Sequence, residues 1–127
     1  MKKESRKEVL KQNLSYAVTG KIWLECEEEK FFGPGPVELL QNIERTGSIN
    51  KAAKQMAMSY KKAWDLVNQL NAKALKPFVI TKSGGQEGGG SIITDEAKAF
   101  IVFYAELRNK FSSFLQTETK ALMLRFC

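Results

Sequence analysis

Residues 47–71, GSINKAAKQMAMSYKKAWDLVNQLN, decide the fold. Ser48 can cap a helix whose apolar residues Ile49, Ala52, Ala53 and Met56 fall at helical spacing. A second cap candidate, Ser59, opens another helix running to about Ala74, with an expected buried stripe of Tyr60, Ala63, Trp64, Val67 and Leu70. Ser59, Lys61, Lys62, Asp65, Asn68 and Gln69 are left facing outward. Two short helices joined by a tight turn, the second with lysines in its first turn, describe a helix-turn-helix. A recognition helix meets base edges with its N-terminal residues, where its free backbone N–H groups also favour phosphate. A plain αα-hairpin has the same spacing, so the residues after the second helix must separate the two.

Downstream, Pro77 stops that helix and Phe78–Thr81 (FVIT) is rich in β-formers. Gly84, Gly85, Gly88, Gly89 and Gly90 come next, then Ser91–Thr94 (SIIT), so two short strands around a glycine-dense loop are expected. This hairpin completes a wing. A helix is expected from Asp95 to about Leu115, with Asp95 and Glu96 suited to its N-terminal dipole. Its apolar positions 97, 100, 101, 104, 107, 111, 114 and 115 form a stripe longer than a winged-helix core covers, the kind of patch that marks an interface. Phe100, Ile101, Tyr104, Leu107, Phe111 and Phe114 are the expected dimerisation residues.

Upstream, apolar residues on alternate positions from Tyr16 to Cys26, interrupted by Gly20, read as a strand or a two-strand hairpin. Phe31–Pro36 (FFGPGP) is punctuation, and Pro36 suits the first turn of a helix carrying Val37, Leu39, Leu40 and Ile43 and ending at Thr46–Gly47. The expected fold is α+β: a winged helix-turn-helix with an N-terminal β element and a long C-terminal dimerisation helix. It forms one domain over 1–127, with a basic tail or short helix (1–13), a winged-helix core (14–94) and the terminal helix and tail (95–127).

Composition narrows function. The 127 residues contain no histidine, which excludes His-based metal ligation and His general-base chemistry. Cys26 and Cys127 form no CxxC pair, so no zinc site or disulfide framework is suggested. No bilayer-length apolar run and no signal-peptide core are present, which places the chain in the cytoplasm by expectation. Net charge is +6, and residues 48–82 hold seven lysines against Asp65 alone. That basic segment follows an acidic one, 25–44, with six glutamates and one lysine, a distribution that suggests a face for a polyanion. Solvated helix surface would give the same charges. Glu25, Glu27, Glu28 and Glu29 read as a solvated acidic loop rather than a metal cluster, and Trp23 and Trp64 read as core. The glycine loop lacks a following GK[ST], so it is not read as a nucleotide site. No cofactor and no catalytic residue are assigned.

These motifs resemble a known family. GSINKAA (47–53), SYKKAW (59–64), GGQEGGG (84–90) and SIIT (91–94) are similar to the GSIS-x-AA, SYK-x-AW, GG-x-x-GGG and closing LT of the N-terminal winged-helix domain of ModE-type molybdate-responsive transcription regulators. FFGPGPVELLQNI fits that domain's first helix, so the resemblance covers about Ile22 to Leu115. LysR-type regulators are similar more distantly. The resemblance implies a sequence-specific, non-enzymatic regulator that dimerises through the long helix and contacts double-stranded DNA through Ser59, Tyr60, Lys61 and the wing. The candidate DNA-facing set is Ser48, Asn50, Lys51, Ser59, Tyr60, Lys61, Lys62, Asp65, Lys82, Gly84, Gly85 and Gln86. Family members continue into molybdate-binding domains, which do not follow here, so molybdate binding is not expected of this chain. The alternative is a winged-helix interaction module that partners a separate effector-binding protein.

Overall fold

The computed structural model describes residues 7–82 and 90–127, in two compact units, 1–22 with 105–127 and 23–104. The chain is α+β. In the 23–104 unit, β1 (Leu24–Cys26) and β2 (Glu29–Phe32) form an antiparallel hairpin that leads into α1 (Pro34–Thr46). The turn residues Glu27 and Glu28 sit at φ 51° and 70°, the left-handed region of a two-residue hairpin loop. Glutamate meets a steric penalty there that glycine does not. Glu28→Gly is therefore expected to raise stability by about 0.5–1 kcal/mol, read as a higher urea midpoint with an unchanged slope.

The hairpin register shifts between Leu24 and Glu25, which face Phe32 and Lys30, so Phe31 is the extra residue of a bulge. Two adjacent strand residues normally point to opposite faces. Here the rings of Phe31 and Phe32 both reach Phe100, at 6.1 and 4.7 Å between centroids. Phe32 is fully buried and also meets Phe78 and Tyr104 edge-on, at 6.3 and 5.6 Å. These rings form one side of the core. The other side is α1, whose Val37, Leu39, Leu40 and Ile43 are buried as their spacing requires.

Gly47 ends α1 at φ 70°, a conformation that costs glycine nothing, and its N–H donates to the Ile43 carbonyl at 2.7 Å. The Gly47 carbonyl accepts the Ser91 N–H at 2.9 Å, tying a later strand to this corner. Next come α2 (Ile49–Gln55) and α3 (Tyr60–Lys73), capped by the predicted Ser48 and Ser59. β3 (Val79–Thr81) and β4 (Ser91–Ile93) pair antiparallel with Ile80 opposite Ile92. Thr94 then starts α4 (Asp95–Phe126), its hydroxyl accepting the Ala97 N–H at 3.3 Å.

Three sequence expectations need correcting. Only Leu24–Cys26 of the 16–26 run is strand, because the Val18 N–H goes to the Thr119 hydroxyl of α4, at 2.8 Å, and not to a neighbouring strand. An extended segment laid along a helix shows the same alternation as a strand. α4 continues past Leu115 to Phe126. Of the stretch before residue 14, expected as a tail or short helix, the described residues 7–13 are irregular but anchored. Lys7 donates to the Arg125 carbonyl and Val9 and Leu10 to that of Phe126, at 2.9, 3.0 and 2.9 Å. Those carbonyls belong to the last turn, where no donor is available within the helix itself.

The apolar stripe of α4 is also divided differently. Tyr104 is 1% exposed, held against Phe32 in the core, so it is not available as an interface residue. Phe100 is likewise engaged by core rings. Ile101, Leu107 and Phe111 are half-buried, and Phe111 lies against Gly20, where an added Cβ would stand 3.1 Å from its ring. Phe114 is 55% exposed, as are Val102 and Phe103 at 56% and 50%, two residues the stripe did not include.

Candidate nucleic-acid interface

α2 and α3 owe their starts to the same device. Ser48 accepts the Lys51 N–H and Ser59 accepts the Lys62 N–H, each at 3.1 Å. A cap of this kind contributes about 1 kcal/mol and fixes where the helix begins. The turn between them is tight: Ala57 takes φ 51°, and Met58 N–H returns to the Ala53 carbonyl at 2.9 Å. Ile49, Ala52 and Ala53 of α2 are buried together with Ala63, Val67 and Leu70 of α3. The small alanines let the two helices approach closely.

The first turn of α3 consequently projects lysines into solvent. Lys61 is paired with Asp65 one turn on, at 3.1 Å, with side chains 87% and 54% exposed. Such an exposed pair is weak and readily exchanged for another anion. Lys62 is exposed, and so are Asn50 and Lys51 on α2. Ser48 is half-buried and Ser59 exposed, each with its hydroxyl engaged as a cap.

Tyr60 departs from the reading that put it on the buried stripe. It is 52% exposed, its ring edge-on to Trp64 at 6.1 Å. As the first residue after the cap it has no preceding turn of α3 to cover it. Trp64 is half-buried, and its indole N–H is buried with no hydrogen-bond acceptor among the described residues.

Lys82 is exposed at the end of β3, and its N–H donates to the Gly90 carbonyl at 2.9 Å, extending the β3–β4 ladder by one bond. Gly84, Gly85 and Gln86 lie outside the described residues. Among the described residues no cluster of His, Cys, Asp or Glu could hold a metal ion, and no helix is long and apolar enough to cross a membrane.

Two positioning residues escaped the sequence reading. Asn71, in the last turn of α3, accepts the N–H groups of Phe78 and Val79 at 2.8 and 3.1 Å and donates to the Val79 carbonyl at 3.1 Å. It locks β3 onto α3. Its signal was a polar residue four positions after Val67, on the buried phase of the helix. Arg45, in the last turn of α1, donates to Asn42 Oδ1 at 2.8 Å and also to the Gln55 side chain, joining α1 to the end of α2. The signal there was Asn42, a buried amide among the leucines of α1.

No family model matches the chain. It is 40% identical over 86 residues to the molybdenum transport protein ModE of Azotobacter vinelandii, a match covering 68% of this chain and 32% of that protein. The DNA-binding transcriptional dual regulator ModE of Escherichia coli K12 is 35% identical over 83 residues, 65% of this chain and 32% of its own length. The molybdenum-pterin-binding protein MopB of Rhodobacter capsulatus is 37% identical over 92 residues, 72% of this chain and 34% of its own. The chain thus spans about a third of the length of the curated relatives it matches.

Proposed function

With this chain related to the ModE-type regulators over about two thirds of its length, we propose that it is a non-enzymatic, sequence-specific DNA-binding regulator. In this reading α2 and α3 are a helix-turn-helix, α3 enters the major groove, and β3–β4 is the wing. The observation that carries it is the capped first turn of α3, which holds Lys61 and Lys62 exposed on a helix whose opposite face is locked into the core. A rigid helix with cations and free N–H groups at its N-terminus is suited to a groove lined with phosphates.

The regulator acts as a homodimer through α4. Phe103 and Phe114, both at least half exposed, are eleven residues apart, three helical turns, and so share one side of the helix. Pairing two copies buries that side and, by two-fold symmetry, presents two recognition helices to successive major grooves about 34 Å apart. A Phe103→Glu, Phe114→Glu variant is expected to sediment as a folded monomer where the wild type is a dimer at tens of micromolar, a range chosen from the affinity scale. A wild-type monomer at that concentration would sink the dimer.

DNA binding itself is tested by fluorescence anisotropy on random duplex across a salt series. The expected result is a log–log slope near −0.9 for each phosphate contacted. Salt-independent binding, or none, would instead favour the interaction-module reading.

A further inference from the structure

The 23–104 unit has a cleft of about 620 Å³ where the end of α3 meets the first turns of α4. Its apolar lining comes from Phe31, Leu70, Phe78 and Phe100, two of them buried and two half-buried. Lys73 and Lys76 stand at its edge, both exposed and with no ion-pair partner among the described residues. Glu96 is the lone acidic group lining it among the described residues. Leu75, between the two lysines in sequence, also lines the cleft and is fully exposed.

Each of these features selects the same kind of occupant. The volume lies within the 300–1,000 Å³ typical of small-molecule sites, which combine an apolar, aromatic lining with a few polar groups that orient the ligand. Three phenylalanines in the lining call for a flat or flexible hydrocarbon body. Two ammonium groups with no ion-pair partner among the described residues call for an anionic head, and Glu96 repels that head from its own part of the lining. Leu75 adds apolar surface at the rim for a bound hydrocarbon to cover.

We propose that this cleft binds an amphipathic organic anion, an aromatic or medium-chain carboxylate or sulfonate, with its body on the phenylalanines and its head between Lys73 and Lys76. The site rests on the cleft alone and does not require α3 to read DNA.

The test titrates the full chain with 8-anilinonaphthalene-1-sulfonate, followed by dye fluorescence and by amide NMR shifts. One saturable site is expected, with shifts at Leu70, Leu75, Phe78 and Phe100. Decanoate should displace the dye and decanol should do so poorly. Lys73→Ala with Lys76→Ala should weaken binding about tenfold or more, as loss of a charge-assisted contact does, while Lys21→Ala with Lys110→Ala, exposed and away from the cleft lining, leaves it unchanged. Ala99→Trp, an exposed lining position on α4, should block the dye while both lysines remain, with folding confirmed by an unchanged melting curve. Equal binding by both lysine pairs, shifts scattered over the surface, or dye binding that falls as the protein self-associates would overturn the proposal. The last outcome would assign the cleft to a second copy.

Discussion

Phe32→Ala is expected to destabilise the protein by about 3–5 kcal/mol, the cost of removing a large aromatic side chain from a closed core. Phe32 is 0% exposed and its ring contacts come from four places in the chain: Phe31 beside it, Phe78 ahead of β3, and Phe100 and Tyr104 on α4. The β1–β2 hairpin, the β3–β4 hairpin and α4 therefore lose a shared partner at once. The bulge at Phe31 blocks easy repair, since the strand is already shifted to bring both rings to Phe100. A domain of this size has roughly 5–15 kcal/mol of total stability, so one ring removes a large fraction of it. Trp23 and Trp64, the chain's two tryptophans, both lie in the 23–104 unit, so their fluorescence during urea unfolding reports this loss directly. The matched control is Phe114→Ala, 55% exposed, for which about 0.5 kcal/mol or less is expected. A Phe32→Ala midpoint equivalent to less than about 1 kcal/mol would mean the ring cluster is not the core described.

The parts of this fold that could be read from sequence are those whose causes are local. Ser48 and Ser59 act on N–H groups three residues away, so the starts of α2 and α3 were legible to the residue. The β-branched runs at 78–81 and 91–94 give β3 and β4 to within one residue. The misreadings involve distant partners. Residues 16–22 alternate as a strand does, but their partner is α4 a hundred positions on. The polar run 116–120 breaks the apolar spacing and so predicts an end of α4 at Leu115, whereas the last turn is held by N–H groups of residues 7, 9 and 10. Tyr104 shares the apolar spacing of its stripe, and nothing in its neighbourhood announces Phe32 as its core partner. At the candidate site the lysines were legible, being a matter of which helix face is left over. The clamps made by Asn71 and Arg45, which set the strands and α1 around that face, depend on contacts across the fold and were not.

Lys61→Ala with Lys62→Ala is expected to weaken binding about 100-fold on duplexes enriched by the wild type, at matched salt. The two lysines enter this number differently. Lys61 is the candidate for a base edge, a contact worth about 1–3 kcal/mol of discrimination. It must first leave Asp65, and an exposed i,i+4 pair of that kind returns only about 0.3–0.5 kcal/mol, so the exchange favours DNA. Lys62 follows the same cap and is unpaired among the described residues, which suits a phosphate contact. The single variants should therefore separate. Lys61→Ala should relax preference at one base position while changing the salt slope little. Lys62→Ala should weaken all sequences alike and flatten the slope by about one unit. Both side chains are exposed, so thermal stability should stay within about 0.5 kcal/mol of the wild type and loss of binding cannot be put down to unfolding. Asp65→Asn gives the opposite sign: it frees Lys61 and removes an anion from the face, so affinity for random duplex should rise. A double variant that binds enriched duplex as tightly as the wild type would rule α3 out as the reading helix.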